Sequence, residues 1–147
     1  MKKYSVLIAE DDNDDWELTR EAFLSSNLYD AIVRVENGEE LISYLNKNKN
    51  KSFFPDFILS DLNMPRLNGL QALSQIKNDP ALSDTPVIIY TSSHSKQEEK
   101  LSYNHGAHLF ISKPACFMEI VKIAVRLPLV VCENPGDLMK HNEYGSF

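Results

Sequence analysis

The chain has 147 residues, 43% of them hydrophobic and 24% charged, with a formal net charge of -6. That length fits one domain able to bury a substantial core. The acidic balance, with no Lys/Arg cluster beyond the Asn-interleaved Lys47–Lys51 run, argues against nucleic acid as a partner.

Met1-Lys2-Lys3 followed by Val-Leu-Ile-Ala imitates a signal peptide, but the apolar stretch is short and runs straight into three acids. No stretch is long enough to span a bilayer. Cys116 and Cys132 make neither a metal spacing nor a disulfide framework, so they are expected to be reduced thiols in a cytoplasmic protein, Cys116 a small helix residue.

Short β-rich runs alternate with helical patterns five times. Tyr4–Ala9 reads as a strand, and Asn13 can cap a helix whose first turn holds Asp14, Asp15 and Glu17, acids suited to the helix dipole. Ala31–Val35 is a second strand. Asn37-Gly38 leads into a helix with one apolar face of Leu41, Ile42, Tyr44 and Leu45. After the Asn/Lys loop to Pro55 comes the strand Phe57–Ser60, then a helix from about Leu67 that Asn78-Asp79-Pro80 stops.

Val87–Tyr90 is the fourth strand. Ser95 and Glu98 form a capping-box pattern for a helix ending near His105-Gly106. Leu109–Ile111 is the fifth strand, and Phe117, Ile120, Val121 and Ala124 give the last helix its apolar face. Pro128 is expected to break that helix. Strands this apolar between helices imply a parallel α/β sheet covered on both faces. Residues 3–127 are expected to form the domain, with 128–147 an extension holding no output domain. Leaving Leu129-Val130-Val131 exposed would be costly, so this run is expected to pack against a second copy of the chain or back on its own domain.

Ligand sites in such sheets lie beyond the carboxyl ends of the strands. Four strands end in complementary groups: Glu10-Asp11-Asp12, Asp61, Thr91-Ser92-Ser93 and Ser112-Lys113-Pro114. Crowded carboxylates raise one another's proton affinity, and a hard divalent cation relieves this. Magnesium accepts such oxygens, so Glu10, Asp11, Asp61 and the carbonyl of Asn63 are the candidate ligands. Asp61 would then act as nucleophile toward a phosphoryl group, with Lys113 a point charge for phosphate and the Thr91 hydroxyl a donor to a phosphoryl oxygen.

The pieces VLIAEDD, ILSDLNMPRLNGL, PVIIYTSS, His-Gly-Ala and LFISKP together resemble the receiver domain of two-component response regulators over roughly residues 3–127. The resemblance implies a flavodoxin-like, doubly wound five-stranded sheet of order 2-1-3-4-5. It implies that Asp61 is the phosphoacceptor, Glu10 and Asp11 the magnesium-holding acid pair, and Asn63 a ligand through its carbonyl. Thr91 would be the switch hydroxyl, Phe110 the switch aromatic and Lys113 the phosphate-contacting lysine, with Lys113-Pro114 a cis peptide.

The implied partner is a sensor histidine kinase or a phosphotransfer protein. The Lys47–Pro55 insertion, Thr-Ser-Ser-His and Ser-Tyr-Asn-His-Gly-Ala resemble single-domain receivers that serve bacterial phytochrome kinases. Such a protein is a phosphoacceptor with slow self-dephosphorylation and not a turnover enzyme. Two other readings use the same residues. A magnesium-dependent phosphatase with an aspartyl nucleophile would want a second Asp two residues after the first, where this chain has Asn63. A phosphate-independent interaction module would leave the acidic cluster without a task.

Overall fold

The computed structural model describes residues 2–133. Its strands are β1 (Tyr4–Ala9), β2 (Tyr29–Val35), β3 (Phe57–Ser60), β4 (Val87–Thr91) and β5 (Leu109–Ser112). They form one parallel sheet in the order β2-β1-β3-β4-β5, the order that the resemblance implies. The helices are α1 (Asn13–Ser25), α2 (Gly38–Lys47), α3 (Gly69–Asn78), α4 (Lys96–Asn104) and α5 (Phe117–Pro128), followed by a wide helical turn over Leu129–Glu133.

The central strands β3 and β4 are buried throughout, which is why their sequences are continuously apolar rather than alternating. Pleating sends Val6 and Ile8 into a core with Phe23 of α1 and Ile120, Ala124 and Leu127 of α5. Leu7 and Ala9 point the other way, into a core with Leu41 and Leu45 of α2 and Leu73 and Ile76 of α3.

Several local expectations need correction. Asp12, not Asn13, caps α1: its side chain accepts from the Asp15 N–H at 2.8 Å, while the Asn13 side chain is taken by Arg34 at 2.9 Å. β2 begins at Tyr29. α3 begins at Gly69, where Asn68 and Gln71 close a reciprocal capping box. Ser95 caps α4, but its own N–H goes to Ser93 Oγ at 3.1 Å, so the second half of the expected box with Glu98 does not form. Cys116 caps α5 without a side-chain bond and is exposed. The Lys113–Pro114 peptide is trans, the lower-energy isomer of an X–Pro bond.

Pro128 does not break the last helix. It closes α5, and the chain continues as the wide turn, which buries Val130 and Val131 in the α1/α5 core and leaves Leu129 outward. Two of the three apolar residues are thus covered within the chain itself. A proline lacks the N–H that would reach the carbonyl four residues back. That carbonyl belongs to Ala124, and it accepts instead from the buried Tyr29 hydroxyl of β2 at 2.7 Å. The expectations for residues 134–147 lie outside the described residues.

Candidate functional site

β1, β3, β4 and β5 end at one edge of the sheet and carry Glu10, Asp61, Thr91 and Lys113 there. Register holds them. The Asp61 N–H donates to the Ala9 carbonyl at 3.0 Å, the Glu10 N–H to Val35 at 3.0 Å, and the Lys113 N–H to Thr91 at 2.7 Å. Arg34 reaches from β2 to donate its Nε–H to the Glu10 carbonyl at 3.0 Å, its guanidinium lying 5.5 Å from the Trp16 ring centre. This clamp fixes the acidic loop.

Two glycines press the loop after Asp61 from both sides. A Cβ at Gly69 would lie 2.1 Å from the Asp61 carbonyl oxygen, and one at Gly38 would lie 2.1 Å from that of Leu67. Their N–H groups donate to Leu62 (2.8 Å) and Leu67 (2.9 Å). Only glycine allows such an approach at both places.

Carboxylate oxygens of Glu10, Asp11 and Asp61 come within 4.8 Å of one another. Three hard oxygen donors at this spacing suit magnesium or manganese. The Lys113 ammonium donates to Glu10 Oε1 at 2.6 Å, Asp15 Oδ2 at 2.8 Å and Asp61 Oδ2 at 2.9 Å. Burial pulls the Lys113 ammonium down, but hydrogen bonds to Asp15, Glu10 and Asp61 outweigh it and leave its pKa raised. Burial pushes the Glu10 carboxyl up to about 7, although Lys113 draws it down. The nearby ammonium favours the charged form of the carboxylates around it, while burial favours a neutral Glu10.

The other expected residues lie around this centre. Thr91 is buried, and its hydroxyl accepts from the Ser93 N–H at 3.3 Å. Asn63 is exposed and directs its N–H toward Asp61 Oδ1 at 3.4 Å. Phe110 is half-buried against the α2/α3 core, and its N–H, on the sheet-edge strand β5, donates to the Tyr103 hydroxyl of α4 at 3.0 Å. A cavity of about 130 Å³ separates the loop from α4, lined by Leu62, Asn63, Asn68, Leu70, Glu98 and Leu101.

Asp15 is the site residue that sequence reasoning misses. The helix dipole fully accounts for an acid in the first turn of α1. The one hint is its spacing of four from Thr19, which marks the inward face once that face is known. Among the described residues no helix is long and apolar enough to cross a membrane.

Comparison with known proteins agrees with this geometry. The family model described as response regulator receiver domain matches residues 6–125. The response regulator Rcp1 of Synechocystis is 27% identical over 120 residues, covering 80% of this chain and 82% of its own length. The crystal structure of the phosphorylated cyanobacterial phytochrome response regulator RcpA superposes with a TM-score of 0.77 at 28% identity, covering 87% of this chain and 93% of that one. The manganese-bound form of Rcp1 gives 0.74 at 25% identity, covering 89% and 96%.

Proposed function

We propose that this chain, which belongs to the response regulator receiver domain family, accepts a phosphoryl group on Asp61 from a sensor histidine kinase or phosphotransfer protein and thereby switches a protein-interaction surface. The observation that carries the reading is the gathering of the Glu10 and Asp11 carboxylates and the Lys113 ammonium around the one carboxylate at the end of β3. Phosphoryl transfer asks a protein mainly for positioning and charge neutralisation.

Asp61 Oδ2 would attack phosphorus, forming the O–P bond as the P–N bond of a phosphohistidine breaks and the imidazole leaves. Lys113 then donates to a phosphoryl oxygen. Glu10, Asp11, Asp61 and the Asn63 carbonyl would hold magnesium. Bound there, the cation would neutralise these oxygens and draw charge from the phosphoryl group. The acyl phosphate carries about -1.5 to -2 of charge where the carboxylate carried a single negative charge, and it keeps the attacking oxygen as its bridge. Thr91 turns its hydroxyl from the Ser93 N–H to the new oxygens, and the Phe110 ring moves into the space vacated.

Residues 3–127 are assigned to the receiver unit. The likeness to phytochrome response regulators supports a phytochrome-type kinase as donor. Asp61→Asn should give no phosphoryl adduct by intact-mass spectrometry after incubation with acetyl phosphate and magnesium, with its circular dichroism unchanged. Labelling that persists on another residue overturns the assignment.

A further inference from the structure

Asp15 holds the Lys113 ammonium as closely as the two deep carboxylates do, yet it stands outside the trio that can share a cation. An ammonium has three protons to give, and here each goes to a different carboxylate. The side chains of Glu10 and Asp61 are 3% and 11% exposed, whereas that of Asp15 is 40% exposed. Asp15 is therefore the carboxylate at the mouth, where a phosphodonor arrives.

Its mounting is firm. Asp15 and Thr19 share one face of α1, and buried Thr19 lies beside the Tyr90 hydroxyl and favours its ionised form against burial. The Tyr90 ring centre lies 5.8 Å from the Lys113 nitrogen. One helix thus fixes both the rim carboxylate and the ring against which the ammonium rests.

Resting on the phosphoacceptor reading of Asp61, we propose that Asp15 is a positioning residue that restrains phosphoryl uptake. It occupies one of the Lys113 donors and sets a negative charge beside the path of the incoming anion. Glu10 and Asp61 have tasks in the reaction itself. Asp15 has none, so its removal frees Lys113 without removing a nucleophile or a cation ligand.

With acetyl phosphate as donor, an Asp61 oxygen forms the O–P bond while the P–O bond to the acetyl group breaks, and acetate departs with the electron pair. No oxidant or reductant is involved. Lys113 passes the donor it had given Asp15 to a phosphoryl oxygen.

The test compares Asp15→Asn and Asp15→Glu with the unaltered full chain in magnesium. It uses dianionic acetyl phosphate and the less charged phosphoramidate, each at low and high salt. Asp15→Asn should take the phosphoryl group from acetyl phosphate roughly three- to tenfold faster, as expected for one partly screened charge near an approach path. The gain should be smaller with phosphoramidate and should shrink at high salt. Asp15→Glu should restore the original rate. Apparent affinity for beryllofluoride should rise in Asp15→Asn, a readout that needs no turnover.

An Asp15→Asn rate equal to or below that of the unaltered chain overturns the inference. So does an equal gain with both donors at every salt concentration. If the unaltered chain takes no phosphoryl group, or Asp61→Asn is still labelled, the phosphoacceptor reading falls and takes the inference with it. If labelling at Asp61 is intact and only the Asp15 effect is missing, the inference alone fails.

Discussion

Lys113 is the residue on which the site's charge balance turns. It is the cation set among Glu10, Asp15 and Asp61, and its side chain is only 10% exposed. Removing one partner from a buried ion pair costs about 3–5 kcal/mol, because the other charge is left unpaired. Here Glu10, with its carboxyl already pushed up to about 7 by burial, can take a proton and limit that loss. Lys113→Ala should therefore lose about 2–3 kcal/mol of stability at neutral pH in chelator, and magnesium should recover most of it. Urea unfolding with and without the ion measures both. A variant as stable as its parent in chelator would contradict this account. The carboxylates and the lysine were legible in the sequence because each terminates an apolar run. Asp15 was not, because a general reason for its presence already existed and its contact depends on a strand almost a hundred residues away.

At the level of elements, the join between α5 and β2 shows how a missing donor can specify packing. Pro128 leaves the Ala124 carbonyl without its helical partner, and Tyr29 supplies a hydroxyl. Tyr29→Phe strands a buried acceptor and should cost about 1–2 kcal/mol. Pro128→Ala returns the backbone N–H, so in that background the same change at Tyr29 should cost measurably less. The double-mutant cycle reads the coupling directly, and purely additive effects would rule it out. Nothing in the local sequence announces this bond. A proline at that position reads as a stop signal, and the tyrosine that lets the helix close on it lies in another element. The second half of the α4 capping box is missing for a similar reason: the Ser95 N–H is already taken by Ser93 Oγ.

For the molecule as a whole, pattern alone sufficed for the alternation of strands and helices, since two-sided burial leaves a strong apolar signal. The order of the strands came from resemblance, because periodicity does not say which strands are neighbours. Stability should respond to pH through His108, immediately before β5. Burial and the nearby Lys77 hold its pKa down at about 4, below the ordinary 6.5. Between those values the unfolded chain binds the proton and the folded one does not. Stability is thus complete above about 6.5 and falls as pH drops toward 4. For a ring partly reached by solvent the loss is roughly 1–2 kcal/mol. His108→Asn should flatten the stability curve over that window, and an unchanged slope would show that other groups set it. The two glycines that abut the loop after Asp61 have a mechanical corollary. Where side chains intervene between segments, a small displacement can be absorbed by a turning methyl group. Here peptide meets peptide with no cushion, so a shift of the Asp61 backbone passes straight to the start of α3, and one at Leu67 to the start of α2, on the side of the sheet remote from β5.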